Sequence, residues 1–101
     1  MEYNGVAIGV KFDAEPTETD EAAAGVIIEA LQKLHERNDQ YRDLWQDGGT
    51  GDSAHHILHK AKRVHSQNAN ARTDSAEDDA IDLINYCIFF ILNRRAGRIS
   101  Q

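Results

Sequence analysis

The segment from Ile81 to Leu92 constrains the fold most, because every residue in it is apolar except Asp82 and Asn85. Its apolar side chains occupy almost the whole circumference of a helix rather than one stripe. A helix of this kind has to be covered on all sides. We expect it near residues 76–96, ended by Gly97, since glycine readily adopts the left-handed conformation that stops a helix.

A long first helix is predicted between Thr19 or Asp20 and the glycines at positions 48, 49 and 51. Within it, residues recur at alternating spacings of three and four, which is typical of one helical stripe. The stripe consists of Ala24, Ile27, Leu31, Leu34, Asn38, Tyr41 and Trp45. Asn38 is its polar member and needs a hydrogen-bond partner if it is buried, for which Asn85 is a candidate.

A short second helix is predicted to follow a loop at Asp47–Gly51, because clustered glycines make helix continuation costly. Asp52 or Ser53 is suited to cap this helix. A polar segment then leads to Ser75, whose capping box with Asp78 predicts the start of the third helix. We therefore expect an all-α fold, a helical bundle of about three helices.

The domain organisation is predicted to be simple. Residues 1–18 form an extended N-terminal arm, and residues 19–97 form a single helical domain. A chain of 101 residues buries a modest fraction of its surface, and its helices are too few to enclose the third one. We expect oligomerisation, into a dimer or a larger homo-oligomer, to complete the bundle; the alternative is a monomer covered by its arm.

Composition excludes several classes of function. The formal net charge of −6 repels the phosphate backbone, so we expect no binding of long nucleic acid. The N-terminus does not resemble a secretory signal, and no apolar run approaches the roughly 20 residues that cross a bilayer. The lone cysteine, Cys87, fits a reducing compartment and a core position. A cytoplasmic protein without membrane contact is predicted.

The acidic start of the third helix is the strongest candidate site. Helical spacing places Asp78 and Asp82 on one face and Asp79 beside Asp82. Carboxylates gathered without matching cations repel one another, and Mg²⁺ relieves that repulsion while leaving positions for phosphate oxygens. We expect these three residues to hold Mg²⁺. The alternative is an acidic first turn that complements the helix dipole, an explanation that is weakest for Asp82.

Other residues suggest a small ligand. Lys60 and Arg63, three residues apart, are suited to hold phosphates, although they also fit a solvated surface. Tyr41 and Trp45 fit either a core or the rim of a base-binding pocket. His55 and His59, one turn apart, are spaced like the histidines of helical zinc sites, with surface histidines as the alternative.

Three blocks of the sequence resemble the nucleotide modification associated domain of phages and bacteria. The blocks are Asn38-Asp39-Gln40-Tyr41 with Trp45, then Lys60-Ala61-Lys62-Arg63-Val64, then Glu77-Asp78 through Asp82-Leu83-Ile84-Asn85-Tyr86. The family pattern is N-x-x-Y-G-x-x-W, K-x-x-R-[IV] and an acidic D-L-x-N-Y helix. Arg42 replaces the family glycine. The resemblance implies that six residues bind a nucleotide: Asn38, Tyr41, Trp45, Lys60, Arg63 and Asn85.

More distantly, the architecture resembles the all-α nucleoside triphosphate pyrophosphatases of the MazG and dimeric dUTPase families. Those enzymes bind Mg²⁺ through an E-x-x-E and an E-x-x-D motif, and Asp79-x-x-Asp82 stands in the place of the second. Residues 52–67 contain no counterpart of the first. The resemblance implies a phage-type protein in the host cytoplasm that binds or hydrolyses a nucleoside phosphate. The alternative is a non-catalytic interaction protein that binds a host or phage protein.

Overall fold

The computed structural model describes residues 2–3, 6–7, 10–69 and 75–101. Its three long helices are α1 at Glu18–Tyr41, α2 at Gly49–Gln67 and α3 at Ser75–Arg95, and a 3₁₀ helix at Leu44–Gln46 joins the first two. The predicted all-α bundle is confirmed. Within the arm, β1 (Glu2–Tyr3) pairs antiparallel with β2 (Val6–Ala7). None of the described helices is long and apolar enough to cross a membrane.

Helix α1 begins with a capping box. The Thr17 hydroxyl accepts a hydrogen bond from the backbone N–H of Asp20, and the Asp20 carboxylate accepts one from the backbone N–H of Thr17. These reciprocal bonds satisfy two amides that a helix N-terminus otherwise leaves free. The start therefore lies close to the predicted position at Thr19 or Asp20.

The predicted extension of the first helix to Trp45 is wrong, because α1 ends at Tyr41. Arg42 and Asp43 adopt positive φ angles of 51° and 63°, and the Arg42 backbone N–H donates to the Asn38 carbonyl. Left-handed residues cannot continue a helix. Arg42 stands where the family pattern has glycine, the residue that favours this region. Trp45 consequently lies in the 3₁₀ helix.

The predicted loop at Asp47–Gly51 and the predicted shortness of the second helix are also wrong, since α2 begins at Gly49 and spans 19 residues. The chain after α3 caps it. The Arg98 carbonyl accepts from the Thr50 N–H at 2.9 Å, and the Ser100 hydroxyl accepts from the Gly51 N–H at 2.8 Å. A side chain at Gly49 would place its Cβ 2.7 Å from the Arg98 carbonyl oxygen. Glycine is therefore required for this approach rather than for a loop.

Helix α3 has the predicted bounds, and Gly97 has the expected left-handed conformation, with φ at 75°. It packs along much of α2 and more sparsely on α1. Its inward face is polar. The buried residues of α3 are Asp79, Asp82, Asn85 and Asn93. Among the described residues, the only buried apolar side chain is that of Ala30 on α1. The apolar residues of α3 are therefore not enclosed by this chain.

Candidate ligand-binding cleft

Asp82 is the centre of an ion-pair cluster that joins all three helices. Its Oδ1 lies 2.8 Å from the Lys33 Nζ and 3.1 Å from the Arg37 Nη1, and its Oδ2 lies 3.0 Å from the Lys60 Nζ. The Asp82 side chain is 6% exposed. A carboxylate this buried needs compensating donors, and α1 and α2 supply them.

Asp79, one turn earlier on α3, is equally well paired. The Arg63 Nε donates to both of its oxygens, at 3.1 and 3.0 Å, and the Lys60 Nζ lies 3.2 Å from Oδ1. Lys60 therefore bridges Asp79 and Asp82. Lys60 and Arg63, which are three residues apart on α2, both point toward these acids.

The ion pairs outweigh the cost of burial in this cluster. Burial opposes ionisation of Asp82, but hydrogen bonds from Lys33 and Lys60 and the charge of Arg37 hold its pKa below the usual range. Burial also opposes ionisation of Asp79, but the hydrogen bonds and charges of Arg63 and Lys60 hold its pKa below the usual range. For Lys60, burial favours the neutral amine, but Asp82 and Asp79 together raise the pKa of the ammonium. All three groups are charged at neutral pH.

The acids do not fit a Mg²⁺ site as the sequence suggested. The hypothesis required carboxylates without matching cations, whereas Asp79 and Asp82 have their oxygens engaged by lysine and arginine. Asp78 is exposed and lines a different groove, between α1 and α3. Within the described part of the chain, no three histidine, cysteine, aspartate or glutamate side chains are close enough to hold a metal ion. Binding of Mg²⁺ and of zinc stays a prediction.

A cleft of about 510 Å³ opens beside the cluster. Aromatic rings form its wall in two stacked pairs. Trp45 and Phe89 have ring centroids 4.8 Å apart, and His56 and Tyr86 have centroids 4.5 Å apart. Arg37 and Asp82 line the same cleft, so its apolar wall adjoins the ion-pair cluster. Such a cleft has a flat apolar surface and a charged end.

Asn85 lines this cleft and carries a buried acceptor atom. Its Nδ2 donates to the Ala30 carbonyl at 2.9 Å, which fixes the orientation of the amide. Its Oδ1 is the one buried side-chain oxygen or nitrogen without a hydrogen-bond partner among the described residues. A buried acceptor of this kind is costly unless a ligand or water supplies a donor.

The structure brings several predicted site residues together. Asn38, Trp45, Asp82 and Asn85 line the cleft. The predicted pairing of Asn38 with Asn85 is wrong, because the Asn38 Oδ1 accepts from the Trp45 Nε1 at 3.2 Å, whereas Asn85 bonds Ala30. Helix α1 includes Tyr41, but its side chain lies outside what the structure describes.

Several residues of the cluster and of the aromatic wall were not among the predicted ligand-binding residues. They are Lys33, Arg37, His56, Tyr86 and Phe89. Lys33 and Arg37 carry a usable signal, since a basic pair one helical turn apart just before Asn38 points both charges the same way. The three aromatic residues are indistinguishable from core residues by spacing alone.

Asn93 holds the tryptophan side of the cleft in place. Its fully buried amide donates to the Trp45 carbonyl at 3.3 Å and to the Ser53 hydroxyl at 3.2 Å, and it accepts from the Arg98 Nε at 2.6 Å. The Arg98 guanidinium in turn lies 5.3 Å from the centre of the Trp45 ring. The position of Trp45 therefore depends on the chain after α3.

No family model, no curated protein and no solved structure matches the chain. The resemblance to the nucleotide modification associated domain consequently stays a prediction.

The ion-pair cluster predicts a specific pH dependence of stability. Because the folded-state pKa values of Asp79 and Asp82 lie below the usual 3.8, their stabilisation is complete above that pH and is lost as the pH falls through the folded values. Lys60, with a pKa raised above 10.5, loses its contribution only as the pH rises through its folded value. Urea unfolding from pH 2.5 to 7 should show a steep acid-side loss that Asp79→Asn makes shallower. An unchanged slope in this variant would contradict the pairing.

Proposed function

We propose that the cleft binds a nucleotide, that is, a ligand with a flat aromatic base and an anionic phosphate group. The observation that supports this proposal best is an aromatic cleft wall beside an ion-pair cluster that has more cations than carboxylates; the charged residues of the cleft lining itself are Arg37, Asp52 and Asp82. Four cationic side chains surround two carboxylates, so the cluster carries two surplus positive charges, although the whole chain carries −6. A local surplus against an acidic background favours an anion there.

The charged end offers phosphate donors. Arg37 is 49% exposed, lines the cleft and uses only its Nη1 for Asp82, so its other N–H groups are oriented by that bond. An anchored guanidinium is suited to bind phosphate oxygens in pairs. Lys33 adds a second charge beside it. In this arrangement Lys60, Arg63 and Lys33 position the acids, and Arg37, which lines the cleft, is the group that meets the phosphate.

The other end offers a surface for the base. Contact with the aromatic wall formed by Trp45, Phe89 and Tyr86 is available to any base, because every base has an aromatic face. The Asn85 Oδ1 selects for an N–H or O–H group on the ligand. A base amine or a sugar hydroxyl supplies such a donor. The proposal is for binding, and hydrolysis stays a prediction that only the family resemblance supports. A nucleotide ligand also agrees with the cytoplasmic location predicted from the sequence.

Isothermal titration calorimetry with nucleoside mono-, di- and triphosphates, with and without Mg²⁺, tests the proposal. Trp45→Leu should weaken binding about tenfold or more, because it removes part of the aromatic wall that the base contacts. Arg37→Ala should weaken it about fivefold, and more at low salt. Lys62→Ala, which removes an exposed charge on α2, should leave the affinity unchanged. Equal affinities in all variants, or no heat with any nucleotide, would contradict the proposal.

We also propose that the protein is a homo-oligomer, because the described part of the chain buries very little apolar surface by itself. A chain whose described residues bury a single apolar side chain obtains little hydrophobic stabilisation by itself. The half-buried apolar residues of α3 are available to contribute once another surface covers them. This proposal also bears on the alternative function, an interaction protein, since the same surface is open to another protein.

A further inference from the structure

The outer face of α3 carries a regular stripe that the cleft does not use. Its members alternate at spacings of four and three, as residues on one side of a helix do. The stripe consists of Glu77, Ile81, Ile84, Ile88, Ile91 and Arg95. It lies opposite the buried polar residues of α3, which face α1 and α2. Ile91 is 45% exposed, and the other isoleucines are half-buried.

We propose that a second copy of this chain packs its α3 antiparallel on this stripe. The spacings along the stripe are the same in both directions, and four isoleucines occupy its centre. With a two-fold axis between Ile84 and Ile88, each of these residues faces the other in the second copy, and Ile81 faces Ile91. Every isoleucine therefore meets an isoleucine, as a self-complementary two-fold interface requires. In a parallel pair each isoleucine also faces an isoleucine, but the charged residues at the two ends do not face opposite charges.

The ends of the stripe select the antiparallel arrangement by charge. Glu77 and Asp78 lie in the first turn of α3, and Arg94 and Arg95 lie in its last turn. In the antiparallel register Glu77 faces Arg95 of the second copy at both ends of the interface. A parallel register places like charges together. Antiparallel helices also bring opposite ends of the helix dipoles together.

The surface beside the stripe enlarges this interface. The stripe itself is about 27 Å long, at about 1.5 Å per residue. A stable interface needs about 800 Å² from each partner, which is more than one narrow helix face supplies. Val26 on α1 lines a groove with Ile81 and Ile84, and Val26 and Ile27 are exposed. The groove also contains Glu29, Glu77 and Asp78, so its charge complements the basic end of a second α3.

Charge reversal combined with sedimentation equilibrium tests the register. The wild type should be a dimer at micromolar concentration. Glu77→Arg and Arg95→Glu should each weaken the dimer about tenfold, because two attractive pairs become repulsive in each case. The double variant E77R/R95E should restore the dimer to within about threefold of the wild type. Circular dichroism checks that each variant remains helical.

A second comparison tests the apolar part of the stripe. Ile88→Asp should weaken the dimer at least 100-fold, because it places two carboxylates at the centre of the interface. Leu58→Asp, a matched change at an exposed position on α2, should leave the dimer unchanged. A monomeric wild type would overturn both this interface and the homo-oligomer. A dimer without rescue by E77R/R95E would overturn the interface alone, and neither result bears on nucleotide binding, which the calorimetry measures separately.

Discussion

Asp82→Asn is expected to lower the free energy of unfolding by about 3 kcal/mol. The substitution removes the charge that three cations share, and it leaves the partly buried Lys33 and Lys60 undercompensated. Losing one partner of a buried ion pair costs about 3–5 kcal/mol. The lower end applies here because Arg37 reaches solvent, which screens its charge. Urea unfolding at pH 7 measures the change.

Asp78→Asn is the matched control for this variant. It is the same substitution, four residues earlier on the same helix, at an exposed position. We expect an effect within about 0.5 kcal/mol. If Asp82→Asn were as mild as Asp78→Asn, the ion-pair cluster would not contribute to the fold. If Asp82→Asn left stability intact and abolished Mg²⁺-dependent turnover, the metal hypothesis would replace the ion-pair account.

Asn93→Ala is expected to lower the free energy of unfolding by about 2–3 kcal/mol. The fully buried amide joins Trp45, Ser53 and Arg98, and its removal leaves buried polar groups without partners. Because Arg98 is then less firmly held, amide hydrogen exchange should also accelerate at Thr50 and Gly51, whose N–H groups bond residues 98 and 100. Denaturant unfolding and hydrogen exchange by NMR measure both effects.

Asn68→Ala provides the comparison for Asn93→Ala. Asn68 is exposed, and its amide donates to a carbonyl of its own helix, that of His65. Its removal should change stability by less than about 0.5 kcal/mol and leave exchange at Thr50 unchanged. Equal effects of the two substitutions, or unchanged exchange at Thr50 in Asn93→Ala, would show that the chain after α3 does not depend on Asn93.

The parts of the fold that the sequence predicts well depend on neighbouring residues. The bounds of α3 follow from the continuous apolar segment and from Gly97, and the start of α1 follows from the acids after Thr17. The errors arise where contacts between residues far apart in the sequence decide the structure. The glycines at 49 and 51 have the composition of a loop, but they begin a helix because residues 98–100 approach them from the far end of the chain. Local patterns contain no information on such an approach.

The same distinction applies to the cleft. Spacing along α3 places Asp79 and Asp82 together, but it does not identify the cations that meet them. Lys33 and Arg37 lie on α1, and they reach Asp82 only because α1 crosses α3 at that point. When these partners are not known, two acids on one helix face suggest a metal site. Trp45 lines the cleft, but it lies in a different element from the predicted one, because the turn at residues 42 and 43 depends on left-handed residues other than glycine.

The most direct test of the proposed function is an NMR titration that follows the indole N–H of Trp45, the only tryptophan of the chain. This group donates to Asn38 at the wall of the cleft, so binding of a base against this wall should shift its single resonance. With a nucleoside triphosphate we expect a saturable shift, a weaker response in Arg37→Ala and an unchanged one in Lys62→Ala. A resonance that stays in place at millimolar nucleotide, in a protein that remains folded, would contradict nucleotide binding in this cleft.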